Sequence, residues 1–416
     1  VPDVRRERHV IAFLAFVSSL LAFGIDVSLP AFDELRNHFD LADGSGEVSL
    51  VVTFYFLGMA GGQLFYGPFA DRFGRLPVLT VGLSVYALGA AGAATATSME
   101  MLLAARLLWG LGAASAMVLY TAMARDLYEG DQMARVMTLV MAVFLIGPMI
   151  VPALGELLLL TGTWRSVFAF GVLLALVALV WSRRFGETLP DDRRRPLEFG
   201  ETLSAFRAVF RSRRPFGYML TVMFAEAAFF IYLGSGQPVI DEIYGHGDWF
   251  ALIFAAASVV IALGLLASSR LTTRFGAATV ARASSTLIVA FGALLTIACL
   301  ATDGRPDFWI WFAIVSPALA VMSIVTPTGL TLALEPMERM AGTAAAVIGL
   351  VNIGGAATLA ALVDRQIDDT VTPMALGFLV FGTLSATAVR WAGGHATARV
   401  PTVSSSASPT IPGRGG

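Results

Sequence analysis

The chain has 416 residues, of which 56% are hydrophobic and 14% charged, against roughly 25% charged in a soluble globular protein. Its formal net charge is -2 and all 28 basic residues are arginine, so no global basic character attracts nucleic acid. There is too little charge to coat two or three soluble domains, which excludes a soluble enzyme, a nucleic-acid binder and a disordered scaffold and leaves a chain whose solvent is lipid.

In chain order, apolar runs of spanning length fall near 9–30, 48–70, 77–97, 101–123, 136–158 and 164–182, then 216–238, 249–269, 278–300, 308–331, 340–363 and 371–391. About 20 residues at 1.5 Å each cross the ~30 Å hydrocarbon core, so the pattern predicts twelve spans in an all-α integral membrane fold. The first run follows Arg5, Arg6 and Arg8, as a signal peptide would. It lacks a small-residue cleavage site and more spans follow, so it reads as a retained span. With the N-terminus inside, 22 of the 28 arginines lie on inner segments, nine of them between 183 and 214, and the outer loops hold only Arg36, Arg305 and Arg365. That asymmetry places both termini in the cytoplasm.

The expected organisation is a six-helix bundle over 1–182, a charged cytoplasmic linker over 183–215, a second bundle over 216–396, and a Ser/Thr/Pro/Gly-rich disordered tail over 397–416. The halves repeat weakly. Asp71-Arg72-Phe73-Gly74 follows span 2, and Thr273-Arg274-Phe275-Gly276 follows span 8, 202 residues later. Such repeats are the mark of transporters with a site at the midplane, although Arg-x-Gly loops are also common at inner membrane faces. The one cysteine is Cys299, and His9, His38, His246 and His395 lie outside or at the ends of the apolar runs. No disulfide within the chain, histidine metal cluster or buried triad is expected.

Several segments resemble the major facilitator superfamily. Gly67-Pro68-Phe69-Ala70-Asp71-Arg72-Phe73-Gly74-Arg75 looks like its motif A, and Arg106-Leu107-Leu108-Trp109-Gly110-Leu111-Gly112 like motif B. Asp26-Val27-Ser28-Leu29-Pro30 resembles the signature of twelve-helix drug:proton antiporters. Arg125-Asp126-Leu127-Tyr128-Glu129-Gly130 with Gly147-Pro148 and Pro152 is similar to Bcr/CflA-type multidrug exporters. The specific likeness covers roughly residues 20–190. The resemblance implies two pseudo-symmetric six-helix bundles, an inner-membrane location, a monomer, and small drug-like substrates moved against protons. Span 5 departs from it with Gly155-Glu156 where paired glycines are usual. Glu156 either reaches the solvated interface or faces the cavity as a second acid. Thr273 stands where the first half has Asp71, which makes the inner lock asymmetric.

An ionisable side chain at mid-membrane costs roughly 2.5–3.5 kcal/mol unless paired or wet. Asp26 and Arg106 sit at similar depth and form the candidate proton-coupling pair, the roles the resemblance implies for them. Low dielectric favours a protonated carboxyl and a nearby arginine favours the ionised one, so motion that makes or breaks the contact gates protonation. The alternative is a permanent structural ion pair. Glu226, deep in span 7, either titrates, attracts a cationic ligand, or is held neutral by local hydrogen bonds. Phe229, Phe230 and Tyr232 are candidate contacts for flat apolar ligands, and Asn352 a candidate cavity lining. Gly67 and Gly74 permit tight turning and close helix approach. Asp71 is expected to reach a helix N-terminus, that of span 11 by resemblance, and Arg72, Arg75 and Asp126 to extend this into a conformational lock, unless these charges only set topology. Gly147, Pro148 and Pro152 predict a kink of the kind the resemblance associates with export.

Without lysine there is no phosphate-binding loop of the Gly-x-x-x-x-Gly-Lys type, so no cofactor is expected and the proton gradient is the energy source. One proton across ~100 mV supplies about 2.3 kcal/mol and one pH unit about 1.4, together enough for a roughly 500-fold gradient of a neutral substrate. The reading is a proton-coupled exporter. The alternatives are export of a specific native metabolite or uptake by symport on the same fold.

Overall fold

The computed structural model describes residues 4–41, 46–194, 196–197 and 199–393. The tail expected to be disordered lies outside them. Among the described residues, twelve helices are long and apolar enough to cross a membrane. The first six are α1 (Val4–Asp26), α2 (Leu50–Phe73), α3 (Arg75–Ala94), α4 (Met99–Leu127), α5 (Gly130–Thr161) and α6 (Trp164–Phe185). The second six are α7 (Arg213–Pro238), α8 (Phe250–Phe275), α9 (Ala277–Ala301), α10 (Phe308–Leu334), α11 (Ala341–Asp364) and α12 (Thr372–Gly393). Large side chains such as Leu88, Leu160, Leu263 and Leu300 stand exposed on their outer surfaces, as lipid-facing helices require.

Helices α1–α6 pack on one another, as do α7–α12, and the two bundles meet where α2 lies along α11 and α5 along α8. The ends that carry Arg72, Arg183 and Arg214 form an arginine-rich face, and the turns after α1, α7 and α11 an arginine-poor face. The repeat seen in the sequence has a backbone counterpart. Gly74 between α2 and α3 has φ 100°, and Gly276 between α8 and α9 has φ 79°. Both turns demand the left-handed region that glycine enters freely. Trp109 of α4 and Trp311 of α10, separated by the same interval, are both completely buried.

Tight packing inside the first bundle uses missing side chains. A Cβ at Gly58 of α2 would collide with the Leu107 carbonyl of α4, and one at Gly110 of α4 with the Tyr55 carbonyl of α2. These two helices therefore touch backbone to backbone, as small residues allow in membranes.

Two boundaries differ from expectation. The first span stops at Asp26, and Leu29–Ala31 and Phe32–His38 form separate short helices. Pro30 accounts for the break, since it has no N–H to donate to the Asp26 carbonyl four residues earlier. Asp26 is thus the last residue of its helix rather than a turn inside it. Within the linker, Phe199–Arg211 is helical, and its apolar side puts Ala205 and Val209 against Tyr218 and Met219 of α7 and Ala344 and Ile348 of α11.

Candidate functional site

Ser98 caps the start of α4 by accepting a bond from the Met101 amide at 3.2 Å. Two turns on, Arg106 is completely buried. Its Nε donates to the Val51 carbonyl at 2.9 Å and its Nη1 to the Gly24 carbonyl at 2.8 Å. The guanidinium carbon lies 4.5 Å from the Tyr55 ring centroid and 5.1 Å from that of Trp109. Trp109 follows Arg106 by three residues and so shares its helix face. Nη2 has no partner among the described residues.

Asp26 is also buried, 2% exposed, but it forms no ion pair with Arg106. The expected pair is therefore not made in this state. The reason is local. Because α1 ends at Asp26, the Gly24 carbonyl is one of the orphan acceptors of a helix C-terminus, carries part of the negative end of the dipole, and takes the guanidinium instead. The Asp26 carboxyl lies within electrostatic range of the hydroxyls of Tyr55 and Tyr232. Neither hydroxyl has a hydrogen-bond partner among the described residues. Tyr232 belongs to the opposite bundle, is 2% exposed, and stacks on Phe254 with centroids 5.7 Å apart. In this state it is packed beneath the arginine-poor face.

That face is closed. Arg36, buried at 6% exposed, bonds Asp33 at 3.3 Å and Glu242 of the other bundle. Gln237 donates to Asp33 at 3.5 Å and to Asp241 at 3.1 Å. Phe56 stacks on Phe230 with centroids 4.1 Å apart, again across the bundles. Glu156 accepts a bond from the Ala251 amide at 3.2 Å, in the first turn of α8. Its place is thus neither bare solvent nor a cavity wall: it is an anion on the positive end of a helix in the opposite bundle.

The arginine-rich face is arranged differently. Arg75 bridges Asp71 at 2.5 Å and Asp126 at 2.8 Å, so the expected charge chain exists within the first bundle. Glu187, just after α6, accepts from the Arg75 and Leu76 amides at 2.9 and 3.1 Å and so caps α3. Arg72 is exposed and stands outside this chain. Thr273, the counterpart of Asp71, bonds carbonyls of its own helix. The expected reach of Asp71 to the start of α11 is not made. A Cβ at Gly67 of α2 or at Gly342 of α11 would meet nothing within 4 Å. The protein is open at the arginine-rich face and closed at the other.

Between the faces, Glu226 of α7 accepts from the Thr326 hydroxyl at 3.2 Å, while its second oxygen is buried without a partner among the described residues. Phe229 and Phe230 are half-buried. Asn352 is 5% exposed, with its Oδ1 unpartnered among the described residues. Pro148 and Pro152 lie inside α5, which runs unbroken from Gly130 to Thr161, and Gly147 faces Ala22 of α1.

Sequence reasoning did not single out Tyr55, Glu187, Thr326 or the Arg36–Glu242 clasp. Arg36 carried a faint signal as one of few arginines in the outer loops; the others depend on contacts made between distant helices.

A family model described as Major Facilitator Superfamily matches residues 11–361. The chain belongs to the major facilitator superfamily. It is 31% identical over 364 residues to a bicyclomycin resistance protein homolog of Haemophilus influenzae, covering 87% of this chain and 90% of that protein. It is 28% identical to multidrug resistance protein D of Escherichia coli, covering 87% and 91%. These relatives bear out the resemblance to the Bcr/CflA type. Among solved structures, the partially occluded inward-open xylose transporter XylE of E. coli superposes with a TM-score of 0.71 at 12% identity, covering 94% of this chain and 98% of that one. That likeness establishes the twelve-helix fold alone.

Proposed function

We propose that this superfamily member is a proton-coupled exporter of small drug-like molecules, working by alternating access in the inner membrane as a monomer, with its arginine-rich face in the cytoplasm. The observation that carries the reading is the buried Asp26 carboxyl, which makes no ion pair with Arg106 and lies within electrostatic range of the buried Tyr232 of the opposite bundle, beneath a closed outer face. A carboxylate there is tolerated only when neutral or wet, so its protonation is tied to which face is open. Protons reach Asp26 when the outer face opens, and substrate enters when the inner face opens. Half-buried Phe229 and Phe230 supply flat apolar contacts near Glu226, whose free oxygen suits a cationic group. Resistance proteins among the relatives support drug-like cargo, and the proton gradient takes the place of a cofactor.

The test is efflux from proteoliposomes under an imposed pH gradient, with a fluorescent lipophilic cation and with neutral bicyclomycin- and chloramphenicol-type antibiotics. Gradient-dependent movement of any of these supports the reading. Movement of none replaces drug export by carriage of a specific native metabolite, and movement inward with the proton replaces it by symport.

A further inference from the structure

Asp364 ends α11 at the arginine-poor face, and nothing in the coupling scheme above uses it. Its side chain is 1% exposed. The Ser235 hydroxyl of α7 donates to Oδ1 at 2.5 Å. Gly234 allows α7 to pass over the carboxyl, since a Cβ there would collide with Oδ2. From the opposite bundle, the backbone of Gly46 lies directly against the Asp364 carbonyl. The turn at Gly46–Ser49 is thus the lid over this helix end, and it can be there only while the outer face is closed.

Among the described residues, the surroundings offer no compensating charge. From α7 come Ser235 and Gly234, and the turn Val239–Ile243 that follows it carries Asp241 and Glu242, Glu242 being engaged by Arg36. The lid brings Glu47 next to Gly46, and α12 brings uncharged Gly377 against Val363. Arg365 is next in the chain but exposed, and among the described residues no arginine or histidine nitrogen lies within ion-pair distance of the Asp364 carboxyl. Carbonyls at the C-terminus of α11 add further negative potential. An ionised carboxylate buried without a cation or a full set of donors is strongly disfavoured, so the closed gate accommodates Asp364 in its protonated form.

We propose that Asp364 is a proton-binding site of the outer gate, loaded from the external solution before the gate closes. With the gate open, water reaches the carboxylate. A proton from that water binds a carboxylate oxygen, the neutral acid then accepts burial beside Ser235, and Gly46 settles over it. The same proton returns to the external water when the gate reopens. This site therefore sets how external acidity favours closure, and differs from Asp26, whose proton is the one exchanged across the membrane. The inference rests on the sidedness given under Proposed function, but on neither the substrate nor the coupling.

The test measures the gate without substrate or gradient. Spin labels go on cysteines introduced at Asn37 and Asp368, which line the cleft on the outer face, in a Cys299→Ala background in lipid nanodiscs. Their separation is followed from about pH 5 to about pH 9, a range that covers perturbed carboxyls. In the wild-type background the closed population is expected to grow as pH falls. Asp364→Asn is expected to shift towards closed, most strongly at high pH, keeping only the part of the titration that belongs to Asp26. Ser235→Ala is expected to keep the titration with its midpoint at higher pH, because the donated bond favours the ionised carboxylate. A wild-type gate indifferent to pH, or an Asp364→Asn gate that titrates like wild type, overturns the proposal. Should Asp364→Asn not fold, an unmoved midpoint in Ser235→Ala overturns it instead. Failure of proteoliposome efflux beside an Asp364-dependent gate removes the exporter reading alone.

Discussion

Arg106 and Asp26 are buried in the same bundle without touching: the guanidinium holds the Gly24 carbonyl at 2.8 Å, two residues before the carboxyl it was expected to neutralise. The arginine thereby fixes the end of α1 while leaving the acid free to titrate. Two charge-assisted bonds at about 1.5–3 kcal/mol each, with two aromatic faces at up to about 2 kcal/mol apiece when desolvated, offset much of the cost of burying the cation. Arg106→Lys keeps the charge but cannot bond both carbonyls while setting a planar group in the corner formed by the Tyr55 and Trp109 rings. It is expected to cost about 2–4 kcal/mol of stability, read as a lowered thermal midpoint of the purified protein, and to reduce efflux with it.

Asp26→Asn has the opposite profile. No ion pair is broken, and an amide fits where a neutral carboxyl sits, so expression and thermal midpoint are expected to match wild type. Gradient-driven accumulation is expected to collapse from roughly 500-fold towards unity, the loss of about 3.7 kcal/mol from one proton. Proteoliposome efflux at fixed protein content measures it. A mutant that loses expression and transport together would return Asp26 to a purely structural role.

The two faces were not equally legible in the sequence. Asp71, Arg75 and Asp126 stand in recognisable motifs, and their charge chain forms as expected because it lies within one bundle. The twelve spans were legible because lipid imposes a length and a polarity that each span must meet alone. The closure of the arginine-poor face was not: Arg36 finds Glu242 and Glu156 finds Ala251 only after the two bundles dock, and no local pattern encodes a contact between chain segments so far apart. Asp364 was hidden differently, at the end of an apolar run where an acid ordinarily meets water.

Glu156 joins the two bundles at the arginine-poor face by accepting from the first turn of α8. Removing a side-chain cap costs about 1 kcal/mol, so Glu156→Ala is expected to raise the population open at the arginine-poor face by about fivefold, with little change in overall stability. The Asn37–Asp368 label pair reads this as a larger long-distance fraction at fixed pH. An unchanged distribution would show that the clasp of Arg36 and Glu242 suffices alone.

Gly110 and Gly67 separate packing that is permanent from packing that comes and goes. At Gly110 a Cβ meets the Tyr55 backbone, which no side-chain rotation relieves, so Gly110→Ala is expected to destabilise the protein by about 1–3 kcal/mol or more in every state. At Gly67 a Cβ meets open space, because the arginine-rich face is open and α11 has not closed onto Asp71. Gly67→Val is therefore expected to leave the thermal midpoint near wild type. It would oppose only the state in which that face closes, slowing turnover and raising the labelling rate of a cysteine placed at Gly342. Equal destabilisation by both substitutions would mean that α2 and α11 do not part during the cycle.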